Sequence, residues 1–361
     1  MKIAIVTGSN GLIGSQSVSF LSVKNFKVIG IDNDMRSYFF GEDASTKETE
    51  ESLKWDFPNF RPRQIDIRNY KHLEEIFSLY RDRIEIVVHT AAQPSHDWAA
   101  KEPLTDFGVN ALGTLNLLEL TRQYCPKSTF IFTSTNKVYG DTPNKLSGIV
   151  EEDKRYQLYD VSGNKGSIDE TMSIDNSLHS VFGASKVAAD VMVQEYGKYF
   201  KMNTVCFRGG CLTGPKHKGA ELHGFLSYLI KCIVNHKPYT IFGYKGKQVR
   251  DNIHSLDLVN MFWHFHSDPK QGAVYNVGGG IDNSISILEA IDAVNDICRE
   301  TVPGWKEWKS YTISDQPRAG DHIYYVTDLS KFKKDFPSWT GLSVTLKAIL
   351  EEMVHNELKF L

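Results

Sequence analysis

In His179-Ser-Val-Phe-Gly-Ala-Ser-Lys186, Phe182 and Lys186 stand four residues apart, so on a helix their side chains share one face a turn apart. A benzyl group takes no proton, so of the two only the ammonium can bind or titrate. A second stretch, Thr7-Gly-Ser-Asn-Gly-Leu-Ile-Gly14, follows an apolar run and precedes a helix-like one, the context in which a glycine motif is credible. Its backbone must turn sharply and come close to a pyrophosphate, while the helix N-terminus supplies amide donors and partial positive charge. Gly8, Asn10, Gly11, Leu12 and Ile13 are therefore expected against a dinucleotide, although the spacing is G-x-x-G-x-x-G and not the simplest G-x-G-x-x-G.

The run "VIGIDN" ends in Asp32-Asn33, where a carboxylate can accept hydrogen bonds from a ribose diol and would repel a 2′-phosphate. That favours NAD over NADP, with Arg36 nearby as a counterweight. Asp66-Ile67 is expected to end the next strand beside the adenine.

These residues need a scaffold. Short β-branched runs ("KIAIVTG", "KVIGIDN", "IEIVVHTAA", "TFIFTST", "NTVCFRGG") alternate with longer amphipathic stretches, which predicts βαβ units and a Rossmann-type, doubly wound parallel sheet covered by helices. The spacing predicts a dinucleotide-binding lobe over 1–208, with returns near 250–280, and a smaller mixed substrate lobe over 209–361. A long connection, 35–63, separates the second and third strands; connections of that length are usually functional or mobile.

A net charge of −3 with scattered Lys and Arg argues against a nucleic-acid partner. Cys125, Cys206, Cys211, Cys232 and Cys298 are widely spaced without a C-x-x-C pair, so they read as reduced core thiols, and no metal site is expected. The chain opens on a strand-like run, and no apolar stretch approaches a membrane span. A cytoplasmic protein is the expectation.

With "TGSNGLIG", "DN" at 32–33, "DI" at 66–67, "HTAAQ", "NALGTLNLLE", "TSTNKVYG" and "FGASK" in this order, the chain resembles the extended short-chain dehydrogenase/reductases over nearly its whole length. "TSTNKVYGD", "GKQVRD" and "YNVGGG" are most similar to the branch that inverts C2 of CDP-hexoses. The resemblance implies an isomerase with a nucleotide-sugar substrate, a CDP-sugar favoured. It also implies a tightly held NAD that takes a hydride from the sugar carbinol and returns it to the other face of the keto sugar.

Carried over by position, Thr135 matches the residue that hydrogen-bonds the reacting hydroxyl, and Lys186 the lysine that holds the nicotinamide ribose. The resemblance places Ala91, Ala92, Gln93, Asn110 and Thr133 against the cofactor. It places Gln93, Ser95, Asn136, Lys137 and Arg208 against the substrate, and Arg250 and Arg318 on its diphosphate. Sugar 4,6-dehydratases of the superfamily carry an Asp-Glu pair where Asn136 and Lys137 stand, which argues against dehydration.

Superfamily members place a tyrosine general base at the position of Phe182, its phenol lowered by the neighbouring lysine. Four explanations stay open. Another group, His96, His179, Tyr139 or Lys186, moves the proton; the substrate already carries a ketone and is inverted by enolisation; the protein is a non-catalytic sensor that binds NAD or a nucleotide sugar; or Phe182 is an engineered replacement. Family members also commonly dimerise through the helix carrying "FGASKVAADVMVQEYGKYF", so a homodimer or homotetramer is expected.

Overall fold

The computed structural model of the protein describes residues 2–214, 224–318 and 320–359. Seven parallel strands form the central sheet: β1 (Ile3–Thr7), β2 (Lys27–Asp32), β3 (Phe60–Gln64), β4 (Ile84–His89), β5 (Thr129–Thr135), β6 (Asn203–Gly209) and β7 (Ala273–Val277). Their order is β7-β6-β5-β4-β1-β2-β3, the expected doubly wound arrangement. The interior strands are apolar on both sides because both faces are covered. In β1, Ile3 and Ile5 enter one core while Ala4 and Val6 enter the other, as the two-residue period of a strand requires.

Thr7 pairs with Ile31 on one side and His89 on the other, so the carboxyl ends of β1, β2 and β4 lie level where the strand order reverses. A crevice at that point is where doubly wound sheets bind ligands. The helices that frame it are α1 (Leu12–Val23), α2 (Met35–Phe40), α3 (Lys47–Asp56), α4 (His96–Lys101), α5 (Gly113–Tyr124) and α6 (Ser180–Phe200). On α6, Ala189 and Val193 are fully buried against the sheet. Gly197 lets that helix approach the loop before β7, since a Cβ there would lie 2.1 Å from the Gly272 nitrogen.

Two expectations need correction. The third strand stops at Gln64, before Asp66. It is the sheet's edge, where Pro62 is tolerated and little apolar patterning is needed, so periodicity does not mark its end. The connection expected over 35–63 ends earlier, because that stretch contains α2, the turn Glu42–Ala44, α3 and most of β3 itself.

In the second lobe, Val249–His254 pairs with Cys211–Thr213, Ser284–Ser286 and Tyr324–Tyr325. Helices Phe225–Val234, Ile287–Thr301 and Leu346–Leu358 share a separate core. Two segments cross the boundary expected at 208. Leu158 packs with Val249, Tyr324 and Val326, whereas Phe332, Phe336 and Trp339 enter the core of the first lobe beside β7 and α7 (Ser255–Ser267). Complementary apolar faces, not chain order, decide those memberships.

Candidate active site

A cleft of about 490 Å³ runs along the carboxyl edge of the sheet. A recess of about 170 Å³ adjoins it under the second lobe, the two sharing His96, Lys137, Arg250, Arg318 and Asp321.

At one end the glycine turn forms the floor. Gly8 has φ +65°, and a Cβ there would lie 2.8 Å from the Ala91 nitrogen; at Gly14 a Cβ would lie 1.9 Å from the Gly8 oxygen. Gly11 caps α1 without a side-chain hydrogen bond, so nothing from that residue covers the first-turn amides. This cradle, which side chains would fill, suits a pyrophosphate at a helix N-terminus. Asp32 borders it, its carboxylate accepting from the Asn10 and Asp34 amides at 3.0 and 2.9 Å. Burial raises its pKa and those amides oppose the rise. NAD thus fits this end, which Gly8, Gly11, Leu12, Ile13 and Asp32 line.

Asn33, Asp66, Ile67, Ala91, Ala92 and Thr133 also line the cleft. Asn10 does not: its side chain donates to Glu50 Oε2 at 3.0 Å, tying α3 to the glycine turn. Met35, Arg36, Phe39 and Phe40 of α2, with Thr46 and Thr49, close over the same end. Sequence reasoning passed over all of them but Arg36, because a connection without strong periodicity hides its inward face. Burial lowers the Arg36 guanidinium to about 10.

The central wall carries Thr135, Phe182 and Lys186. Thr135 ends β5 and accepts from the Lys137 amide at 3.2 Å. Lys186 donates to the Thr133 carbonyl at 2.9 Å and sits 4.2 Å from the Phe132 ring centroid. Burial pushes its pKa down to about 8, with Asp190 pulling the other way. Lys137 donates to the Gly320 carbonyl at 2.8 Å and is likewise lowered to about 8 by burial. His96 at the start of α4 meets the Phe182 ring edge-on, with centroids 4.9 Å apart, and its Nδ1 lies 2.8 Å from Ser180 Oγ. Burial, then Lys137, lower its pKa to about 4.

Several expected site residues stand behind the wall instead of on it. Gln93, Ser95 and Asn110 form a buried polar network with Asp106 that shapes the loop after β4. These hydrogen bonds hold the side chains within the network, and none of the three residues lines the cleft. Arg208 is corrected most clearly. Its guanidinium is turned into a buried ion pair with Asp190, 2.8 Å away, and donates to Tyr139 Oη at 3.1 Å. Tyr139 is itself fully buried and donates to Asn276 at 2.7 Å. His179 is 2.8 Å through Nε2 from the Ile174 carbonyl. Neither Tyr139 nor His179 lines the cleft.

Arg250 and Arg318 do reach the far end, alongside Asn136 and Lys137. Arg250 is paired with Asp321, a residue sequence reasoning missed, and Arg318 lies 4.4 Å from the Phe242 ring centroid. Burial alone would raise the Asp321 carboxyl, but Arg250 and Lys137 outweigh it and hold it below its usual range. Among the described residues no cluster of side chains suits a metal ion, and no helix is long and apolar enough to cross a membrane.

Glycine cradle, ribose carboxylate and a Thr-Lys wall on a doubly wound sheet define an NAD-binding enzyme of the extended short-chain dehydrogenase/reductase type. The chain belongs to the NAD dependent epimerase/dehydratase family, whose model matches residues 4–278. It is 32% identical over 303 residues to CDP-paratose 2-epimerase of Salmonella typhi, which covers 81% of this chain and 84% of that protein. To dTDP-glucose 4,6-dehydratase of Salmonella typhimurium it is 27% identical over 350 residues, 95% and 89% of the two chains.

Among solved structures, UDP-glucuronic acid 4-epimerase from Bacillus cereus, in complex with UDP-glucuronic acid and NAD, is similar with a TM-score of 0.77 at 23% identity, covering 100% of both chains. A Tyr-to-Phe mutant of that enzyme, with UDP-4-deoxy-4-fluoro-glucuronic acid and NAD, gives 0.76 at 25% identity and the same coverage.

Proposed function

We propose that this protein is a nucleotide-sugar epimerase that inverts C2 of a CDP-hexose through a transient 2-keto sugar. The observation that carries the reading is the placement of Thr135 and Lys186 on one wall between the glycine cradle and the Arg250–Arg318 end, with Asn136 and Lys137, not carboxyls, beside Thr135. The 32% identity to a protein named CDP-paratose 2-epimerase supports C2 and the cytosine base. NAD, when bound, supplies the hydride acceptor.

The chain's own groups do the rest. Thr135 hydrogen-bonds the reacting hydroxyl. Lys186 orients the nicotinamide ribose, Asp32 the adenosine ribose, and the two arginines hold the diphosphate, whose oxygens suit guanidinium forks. Asn136 and Lys137 stand at the sugar. Without a carboxyl beside Thr135 the site lacks an acid of the kind that would drive loss of water.

Incubation of the purified protein with CDP-hexoses in deuterated water, followed at C2 by NMR, tests this. Inversion without deuterium uptake is expected. Inversion with deuterium at C2 would instead establish enolisation of a keto sugar, a reading that Phe182 favours because that route leaves no task for a phenol. No inversion of any CDP-hexose would remove the activity and favour a binding protein.

The same reading includes a homodimer. Exposed Leu104, Phe107 and Leu112 lie on the segment that leads into α5 and exposed Tyr199 on α6, apolar side chains of the kind that pack against a second copy.

A further inference from the structure

We propose that His96, held by Ser180, takes and returns the sugar-hydroxyl proton in place of the phenol absent at Phe182. The inference rests on the epimerase reading above and supplies its missing proton carrier.

Four side chains were candidates. Tyr139 and His179 are hydrogen-bonded away from the cleft, and Lys186 is bonded to the Thr133 carbonyl. His96 remains, its ring centroid 4.9 Å from that of the ring that would have carried the hydroxyl. It lines both the cleft and the recess.

The local backbone is arranged around this pair. Ser180 opens α6 at φ +62°, left-handed for a residue with a Cβ, a strain that persists only where the surroundings enforce it. In that position Ser180 Oγ accepts from the Gly183 amide at 3.3 Å and meets His96 Nδ1 at 2.8 Å. A hydroxyl has two acceptor lone pairs, so Oγ can take the Nδ1 proton as well. That tautomer leaves an unprotonated Nε2, which has no hydrogen-bond partner among the described residues.

The step balances. The sugar O–H bond breaks as C2 is oxidised, and the proton goes to Nε2. Nε2–H then returns it to the same oxygen as C2 is reduced from the other face. The hydride stays with the cofactor of the reading above, so no external co-reactant is needed.

The charges around the ring fit this task. Lys137, Arg250 and Arg318 line the recess with it as cations, and Asp97 and Asp321 as carboxylates; Lys137 and Asp321 act on the ring directly. In the free protein burial and Lys137 keep the imidazole neutral, the form that accepts a proton. A diphosphate settling at this end offsets the Lys137 part of that lowering, the part that is due to charge and not to burial.

The test compares the unmodified enzyme with H96Q, S180A and the double variant H96Q/F182Y. Removing a general acid–base lowers kcat by about 100-fold or more. H96Q is expected to show that loss with KM within about threefold and with the amount of retained NAD unchanged. Restoring a phenol in H96Q/F182Y is expected to recover at least about tenfold, which a purely structural histidine would not allow. S180A is expected to shift the acid limb of the kcat/KM profile, as a positioning residue should. The assignment is overturned if H96Q keeps kcat within about threefold of the unmodified enzyme, or if the double variant is no faster than H96Q. Absence of turnover in the unmodified enzyme overturns the epimerase reading and this inference with it, and is told apart by needing no variant.

Discussion

Glu50 accepts a 3.0 Å hydrogen bond from the Asn10 side chain, so the helical connection between β2 and β3 is fastened to the glycine turn it covers. A second bridge, from Tyr38 to Glu102 at 2.8 Å, ties α2 to the residue that follows α4. The insertion therefore closes one end of the cleft from two sides.

Replacing Glu50 with alanine is expected to weaken NAD retention by about three- to tenfold, as loss of one hydrogen bond worth about 0.5–1.5 kcal/mol would. Equilibrium dialysis of the purified protein measures it. Unchanged retention would mean that the insertion covers the cleft without holding the cofactor.

Lys186→Met is expected to abolish turnover and yet raise the thermal midpoint at neutral pH. Burial depresses the folded pKa to about 8, below the value of an unfolded lysine, so the charged form is disfavoured in the fold. The penalty is complete below the folded pKa and disappears as pH rises past the unfolded one. The gain from methionine should therefore be largest below about pH 8 and vanish above about pH 10.5. Calorimetry of the NAD-free proteins at both extremes checks the sign.

Arg208→Ala is expected to destabilise the fold by about 3–5 kcal/mol, because Asp190 is left buried without its partner. Urea denaturation reads this directly. If Arg208 instead contacted substrate, stability would change little and KM would rise.

Leu112→Glu combined with Tyr199→Glu is expected to convert the protein to a monomer in light scattering at micromolar concentration. Both side chains are exposed in the single chain, Tyr199 at 76%, so the change costs the fold little. A monomeric parent protein would contradict the proposed dimer.

Much of the architecture was legible because its signals are local. Near-continuous apolar strands, the glycines before α1 and the residues that end β2 and β5 lie within a few positions of the groups they place. The end of β3 was not legible, since an edge strand holding Pro62 needs no apolar period. Nor were the helices of the connection, where only inward residues such as Phe39 and Leu53 are buried.

The sequence alone determined the doubly wound sheet, the NAD-binding turn and the missing phenol at Phe182. Tertiary structure decided which polar groups face the cleft. Arg208 and Gln93 read as site residues in the chain but face buried carboxylates, whereas Asp321 joins Arg250 from 71 residues away and Ser180 meets His96 from 84. Those pairings depend on how helices and loops pack across the sheet, and spacing along a chain does not record the direction in which a side chain points.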